Sequence, residues 1–303
     1  MEHMFILATH DLQQLKSSRM HLILPHLYKD PAYLETYKRW KKGGDFIMQD
    51  NSIFELKDVV AGDLLDFARQ IGADEVMVPE VLRSMEQCVA LTDRFFAFSS
   101  KQQRDPYKFA ACLQGKTWEE IAEHYRILDS EYGKYIDTIC IPFGLEFDCY
   151  NTENEMWMHS GWNRFSNVWR LVKEGLWNSA RQHHLLGLHN PAELALYEKS
   201  GMFDVATLAS IRSNDSSICY RYGQYGANFY LHEGLLYKKI KGQLDFGSRY
   251  TSPEQFVMFY CNKQVIEQFL DGVGGGALWQ SYVSNASSYE YSLAREFSTK
   301  LGV

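Results

Sequence analysis

The sequence predicts an α/β fold, a (β/α)8 TIM-type barrel with a C-terminal helical extension, on three observations. Short apolar runs alternate with helix-patterned stretches, as parallel strands joined by crossover helices do. Eight such runs occur before residue 216, and 303 residues suit one barrel with an appendage. Two of the runs close on an aspartate followed by small polar residues, Phe46-Ile-Met-Gln-Asp50-Asn-Ser and Ile211-Arg-Ser-Asn-Asp215-Ser-Ser217. Carboxylates held at strand ends suit the mouth of a barrel, where active sites of this fold sit.

The predicted strands are Phe5–Thr9, His21–Pro25, Phe46–Asp50, Glu75–Pro79, Phe109–Gln114, Thr138–Pro142, His183–Leu188 and Ser210–Asp215. Predicted helices between them cover Pro31–Lys41, Lys57–Ile71, Ser84–Lys101, Thr117–Lys134, Asn163–Ala180 and Pro191–Lys199. Thr117-Trp-Glu-Glu120 supplies a cap oxygen and an acidic first turn, and Asn190-Pro191 places a cap before a proline at the first helical position. The barrel is expected over residues 1–225. The extension, residues 226–303, carries predicted helices at Pro253–Phe269 and Ser288–Leu301. Gly272-Val-Gly-Gly-Gly276 lacks the lysine and preceding strand of a phosphate-binding loop and reads as a turn.

Composition narrows the function classes. At 46% hydrophobic, 15% aromatic and 23% charged residues, the chain is that of a folded protein. It has no apolar run of about 18 residues, so no membrane span is expected. The first residues, Met1-Glu-His-Met-Phe, have neither the basic flank nor the apolar length of a signal peptide, which points to the cytoplasm. The six cysteines, Cys88, Cys112, Cys140, Cys149, Cys219 and Cys261, form no close pair, so neither disulfides nor a cysteine zinc site is expected. His183 and His184 alternate to opposite faces of a strand, which argues against a shared metal ion.

A net charge of −7 argues against a broad polyanion-binding coat. Two local basic tracks remain. Lys38-Arg39-Trp40-Lys41-Lys42 sets an aromatic among cations, as single-strand binders often do, and Lys238-Lys239 with Lys241 forms the other. Both also fit solvated faces.

Ordered by strand, the residues expected at the barrel mouth are Asp50, Glu80, Gln114, Gly144, Leu186, Gly187 and Asp215. This set resembles the guanine transglycosylases, which exchange a guanine in a nucleic acid for a 7-deazaguanine, over about residues 45 to 221. Asp50-Asn-Ser-Ile-Phe54 resembles the family's Asp-Ser-Gly-Gly-Phe segment with its small residues replaced. Leu113-Gln114-Gly115 resembles its Gln-Gly segment, and Leu185-Leu186-Gly187 with Pro191 and Leu194 its Leu-Met/Leu-Gly segment. Ser213-Asn-Asp215-Ser-Ser217 resembles the nucleophile segment of the shorter phage enzymes that act on DNA, and Arg221 stands at the family's offset after it. Phe203-Asp204 mimics half of the tRNA enzymes' nucleophile segment. The small polar neighbours of Asp215 leave room for a sugar and favour it over Asp204. The cysteine-rich zinc site of the tRNA enzymes has no counterpart after residue 221.

The resemblance implies a base exchange without redox or metal cofactor. Asp215 would be the nucleophile and Asp50 the acid/base group. Phe54 and Leu186 would sandwich the base, Glu80 would accept from its N1 and N2 hydrogens, and Gln114 with Gly144 and Gly187 would complete its pocket. Arg221, Lys41, Lys42, Lys238 and Lys239 would hold backbone phosphates. The implied partners are DNA and a free 7-deazaguanine such as preQ0, in a bacterial host's cytoplasm if the gene is phage-borne. The same chemistry on tRNA, a non-catalytic nucleic-acid-binding barrel, and an unrelated sugar hydrolase remain open alternatives.

Overall fold

The computed structural model describes residues 1–53, 60–99, 107–145, 159–188, 193–194, 197, 202–226 and 246–270. Eight strands alternate with helices: β1 (Glu2–Phe5), β2 (Met20–Ile23), β3 (Phe46–Gln49), β4 (Glu75–Met77), β5 (Lys108–Cys112), β6 (Thr138–Pro142), β7 (Gln182–Leu186) and β8 (Ile211–Ser216). All the paired strands run parallel in the order β1-β8-β7-β6-β5-β4-β3-β2. With β1 lying beside β2, the sheet curls into a nearly closed barrel of the TIM type.

The helices are α1 (Pro31–Lys42), α2 (Ala61–Ile71), α3 (Met85–Ser99), α4 (Trp118–Ser130), α5 (His159–Lys173), α6 (Val205–Ser210), α7 (Ile218–Gln224) and α8 (Pro253–Leu270). Local chemistry starts them. The Asp30 carboxylate accepts from the Ala32 N–H at 2.8 Å ahead of Pro31, and Thr117 Oγ1 accepts from the Glu120 N–H at 3.3 Å. The Thr117 cap is as the residues predicted, whereas the Asp30 cap was not foreseen, and the predicted Asn190 cap lies outside the described residues. The predicted helix over Pro191–Lys199 lies largely outside the described residues, and that over Ser288–Leu301 and the glycine run of 272–276 lie wholly outside. Helix α8 packs on α7 and β1, which ties the start of the extension to the barrel.

One strand departs from expectation. β1 covers Glu2–Phe5 and not Phe5–Thr9, and Thr9–Asp11 forms a 3-10 turn. The polar Glu2 and His3 concealed its start. His3 is nevertheless buried, because its Nδ1 meets the Asn214 side chain on β8. Burial pulls the His3 imidazole down to about 4.

Apolar packing forms two shells. The larger lies between sheet and helices. The smaller fills the barrel lumen with Met4, Leu22, Met48, Met77, Ala110, Cys112 and Cys140. Unbranched methionines suit a cylinder that tapers irregularly. Among the described residues, an arginine crosses this lumen. Between β7 and β8 the pairing slips, from His183 opposite Ile211 to His184 opposite Ser213, which makes Arg212 the extra residue of a bulge. Its guanidinium reaches across to Glu75 on β4, with Nη2 2.6 Å from Oε2, and lies over the Phe46 ring. Thr138 on β6 donates to the other Glu75 oxygen at 2.5 Å.

Glu75 has no exposed surface, so removing its cation leaves a charge stranded in the lumen. Arg212→Met is expected to destabilise the protein by about 3–5 kcal/mol. Arg212→Met with Glu75→Gln is expected to recover most of that loss, as read from urea unfolding of the two variants beside the native chain.

Candidate active site at the barrel mouth

Asp215 is the next-to-last residue of β8, and Met4 is its partner on β1. Its side chain is 4% exposed. Two groups converge on one of its oxygens, Oδ1: the His184 Nε2 of β7 at 2.9 Å and the Gly187 backbone N–H at 2.8 Å. Among the described residues no hydrogen bond reaches Oδ2. His184 is wholly buried, and its Nδ1 lies 2.8 Å from Ser213 Oγ.

The Gly187 N–H reaches Asp215 because the chain turns sharply after β7. Gly187 has φ +71°, and a Cβ there would stand 2.5 Å from the Phe143 ring. Only glycine fits both conditions. Beneath this turn Arg164 of α5, fully buried, grips Glu193 through two bonds of 2.6 and 2.7 Å. Its remaining nitrogen donates to the carbonyls of Leu186, at 2.8 Å, and Ile141, at 3.3 Å. The tops of β6 and β7 are thereby bolted to one guanidinium.

Across the mouth, β3, β4 and β5 deliver a second polar cluster. The Gln114 amide donates to Glu80 Oε2 at 2.6 Å, and the Asn51 amide donates to Glu80 Oε1 at 3.2 Å. Gln114 Oε1 accepts from the Arg83 N–H at 2.9 Å. Burial pushes the Glu80 carboxyl up, and the hydrogen bonds from Gln114, Asn51 and the Cys112 thiol partly oppose it. Asp50 follows β3 and is half-buried, with Oδ1 accepting from the Asn51 N–H at 2.8 Å. Asn51 in turn donates to the Val78 carbonyl at 3.0 Å, which holds the Asp50 loop against β4.

Of the residues expected at the mouth, Asp50, Glu80, Gln114, Gly144, Leu186, Gly187 and Asp215 all follow or end their strands at the C-terminal side of the barrel. Gly144 is exposed, with open space where a side chain would stand. Arg221, half-buried in α7, lies just beyond β8, and burial pulls its guanidinium down. Phe54, Lys238, Lys239 and the Glu146–Glu155 stretch lie outside the described residues.

Lys41 and Lys42 do not belong to this set. They end α1, ahead of β3, at the N-terminal side of the barrel, and Lys41 pairs with Asp74 at 2.5 Å below β4. Trp40 is no stacking platform for a base. It is buried against His21, with ring centroids 4.6 Å apart, because the helical repeat turns it inward. Asp204 is exposed and caps α6, ahead of β8, by accepting from the Thr207 N–H at 2.7 Å, whereas Asp215 stands near the end of β8.

Residue typing alone did not find His184, Asn51, Ser213 or the Arg164–Glu193 clamp. A signal existed for two of them: His184 shares a strand face with Leu186, and Ser213 shares one with Asp215. His183 points the other way, stacked on Trp177 at 3.6 Å and within 2.9 Å of the Tyr125 hydroxyl.

No protein-family model matches the chain, and no curated protein matches it. Among the described residues, no cluster of three histidine, cysteine or acidic side chains is placed to hold a metal ion, and no helix is long and apolar enough to cross a membrane.

Two outcomes follow from this geometry. Gly187→Ala forces a β-carbon into Phe143 at a positive φ and is expected to cost about 1–3 kcal/mol in urea unfolding. The second concerns His124 of α4, whose Nδ1 takes the Gln114 N–H at 3.0 Å and whose imidazole burial pulls down to about 4. A histidine so depressed stabilises the fold fully above its unfolded value of about 6.5, and that stability is lost as pH falls through the folded value. Between pH 6.5 and 4.5 the native chain should therefore lose about 2 kcal/mol more than His124→Asn.

Proposed function

We propose that the protein exchanges guanine in DNA for a free 7-deazaguanine base through a covalent sugar ester on Asp215. One observation carries the reading: Asp215 has one oxygen held by two nitrogens and no hydrogen bond from the described residues to the other, and it ends its strand on the side of the barrel where Asp50 also follows its own. A base exchange needs a carboxylate that attacks the anomeric carbon and then departs. It also needs a separate group that exchanges protons with the base.

In the first displacement Asp215 Oδ2 bonds to C1′ as the bond from C1′ to guanine breaks. The bonding pair leaves with guanine, which takes a proton from Asp50. The incoming base then yields a ring N–H proton to Asp50, and its nitrogen attacks C1′ and releases Asp215 as carboxylate. Protons and charge balance over the cycle, so neither a redox nor a metal cofactor is called for.

Glu80, Gln114 and Asn51 support a base-reading role, as a buried set of acceptors and amide donors suited to the edge of a purine. Leu186, half-buried at the top of β7, offers one apolar face. A base in a duplex is out of reach of such a pocket, so the target must be flipped out or single-stranded. Arg221, in α7 directly after β8, would meet flanking phosphate.

The test is transfer of a labelled 7-deazaguanine into DNA and into tRNA by the purified chain. Label is expected in DNA. Asp215→Asn should lower the rate by at least about 10⁴-fold, and Asp50→Ala by about 10²–10⁴-fold. Label in tRNA alone would assign the chemistry to the other polymer. Label in neither, across a panel of 7-deazaguanines, would replace the reading by a binding barrel or a sugar hydrolase.

A further inference from the structure

The lumen holds a run of hydrogen bonds from the lower end of the barrel to its mouth, and the guanidinium within it sets the direction at one end. A guanidinium has donors only. Arg212 donates through Nη2 to Glu75 and through Nε to Ser213 Oγ at 3.4 Å. Ser213 Oγ accepts there, which leaves its own proton able to go to its other neighbour, His184 Nδ1, at 2.8 Å. With Nδ1 accepting, the ring N–H is the one on Nε2, 2.9 Å from Asp215 Oδ1. The Gly187 N–H, a donor by nature, meets the same oxygen. From the Arg212 Nε onward, each donor of the run points toward Asp215.

We propose that His184 is a positioning residue for Asp215, locked as the Nε2–H tautomer by Ser213 and Arg212, and that it aids the carboxylate chiefly as a leaving group. This deepens the transglycosylase reading, and its kinetic part rests on that reading. A hydrogen bond to a carboxylate favours the charged form. In the first displacement Asp215 gives up charge to the new ester bond, so the His184 bond weakens and contributes little. In the second, negative charge returns to Asp215 and the bond strengthens as the transition state forms. A fixed donor on Oδ1 therefore lowers the second barrier more than the first. It also leaves Oδ2 as the atom that bonds to the sugar.

Two measurements test this. The first is a long-range ¹⁵N–¹H correlation spectrum of the histidine rings of the full chain at neutral pH, with the His184 signals identified by their loss in His184→Gln. The expected spectrum has Nε2 protonated and Nδ1 unprotonated, with the Nδ1 signal moved in Ser213→Ala. A ring protonated on Nδ1, or on both nitrogens, would overturn the proposal without bearing on base exchange.

The second is quenched-flow exchange on DNA, following both covalent adduct and product. His184→Leu, which has no donor, is expected to slow adduct breakdown about ten- to a hundredfold, so that adduct accumulates. His184→Gln, whose amide can reach the Nε2 position, should return breakdown to within about tenfold of the native rate. Equal losses in the two variants, or slower adduct formation with unchanged breakdown, would overturn it. If the native chain exchanges no base while its His184 ring is protonated on Nε2 alone, the leaving-group role fails together with the transglycosylase reading, and the hydrogen-bond geometry stands.

Discussion

A carboxylate buried among side chains keeps its charge only where donors replace the water it has lost, and at Asp215 that requirement reaches deep into the barrel. Its donors are a histidine and a glycine N–H. The histidine needs Ser213, Ser213 is next to Arg212, and Arg212 needs Glu75 on the opposite wall. The bulge between β7 and β8 permits the series, since it frees Arg212 to cross the lumen while Ser213 and Asp215 still meet His184. The glycine N–H needs the sharp turn after β7, which Arg164 and Glu193 hold from below. A small polar line in an otherwise methionine-rich lumen thus sets the orientation of one oxygen at the mouth.

The two sides of the mouth differ in their electrostatics. On the β7–β8 side, donors are aimed at one oxygen of Asp215. On the β3–β5 side, the buried Glu80 has its carboxyl pushed up, and amides face both its oxygens. Asp50 belongs to the β3–β5 side, half-buried and accepting from its own neighbour's N–H. Groups in such unlike surroundings suit different tasks, one to carry charge through two displacements and others to trade protons or read the edge of a base.

Much of the barrel was legible because parallel strands buried on both faces read as apolar runs, and eight of them appear in sequence. One helix start was legible from its cap, at Thr117, while the Asp30 cap of α1 emerged only in the structure. The start of β1 was hidden by a histidine that is buried through a polar partner on β8, a partner more than two hundred residues away. Trp40 among lysines looked like a surface aromatic, yet helical geometry turns the tryptophan inward while its neighbours face solvent. Asp215 and Asp50 were visible as polar residues closing apolar runs. The role of His184 was not visible, because alternation tells which way a side chain points and says nothing of what awaits it there. The bulge left no local mark in the sequence either, and it decides where Arg212 goes.

The measurement that tests the account most directly is the mass of the protein after acid quench of a reaction with a short DNA oligonucleotide, followed by peptide mapping. The account predicts a covalent protein–DNA species that gathers during turnover, with the attachment on the peptide bearing Asp215. An attachment on the Asp50 peptide, or turnover with no covalent species at any quench time, would contradict it.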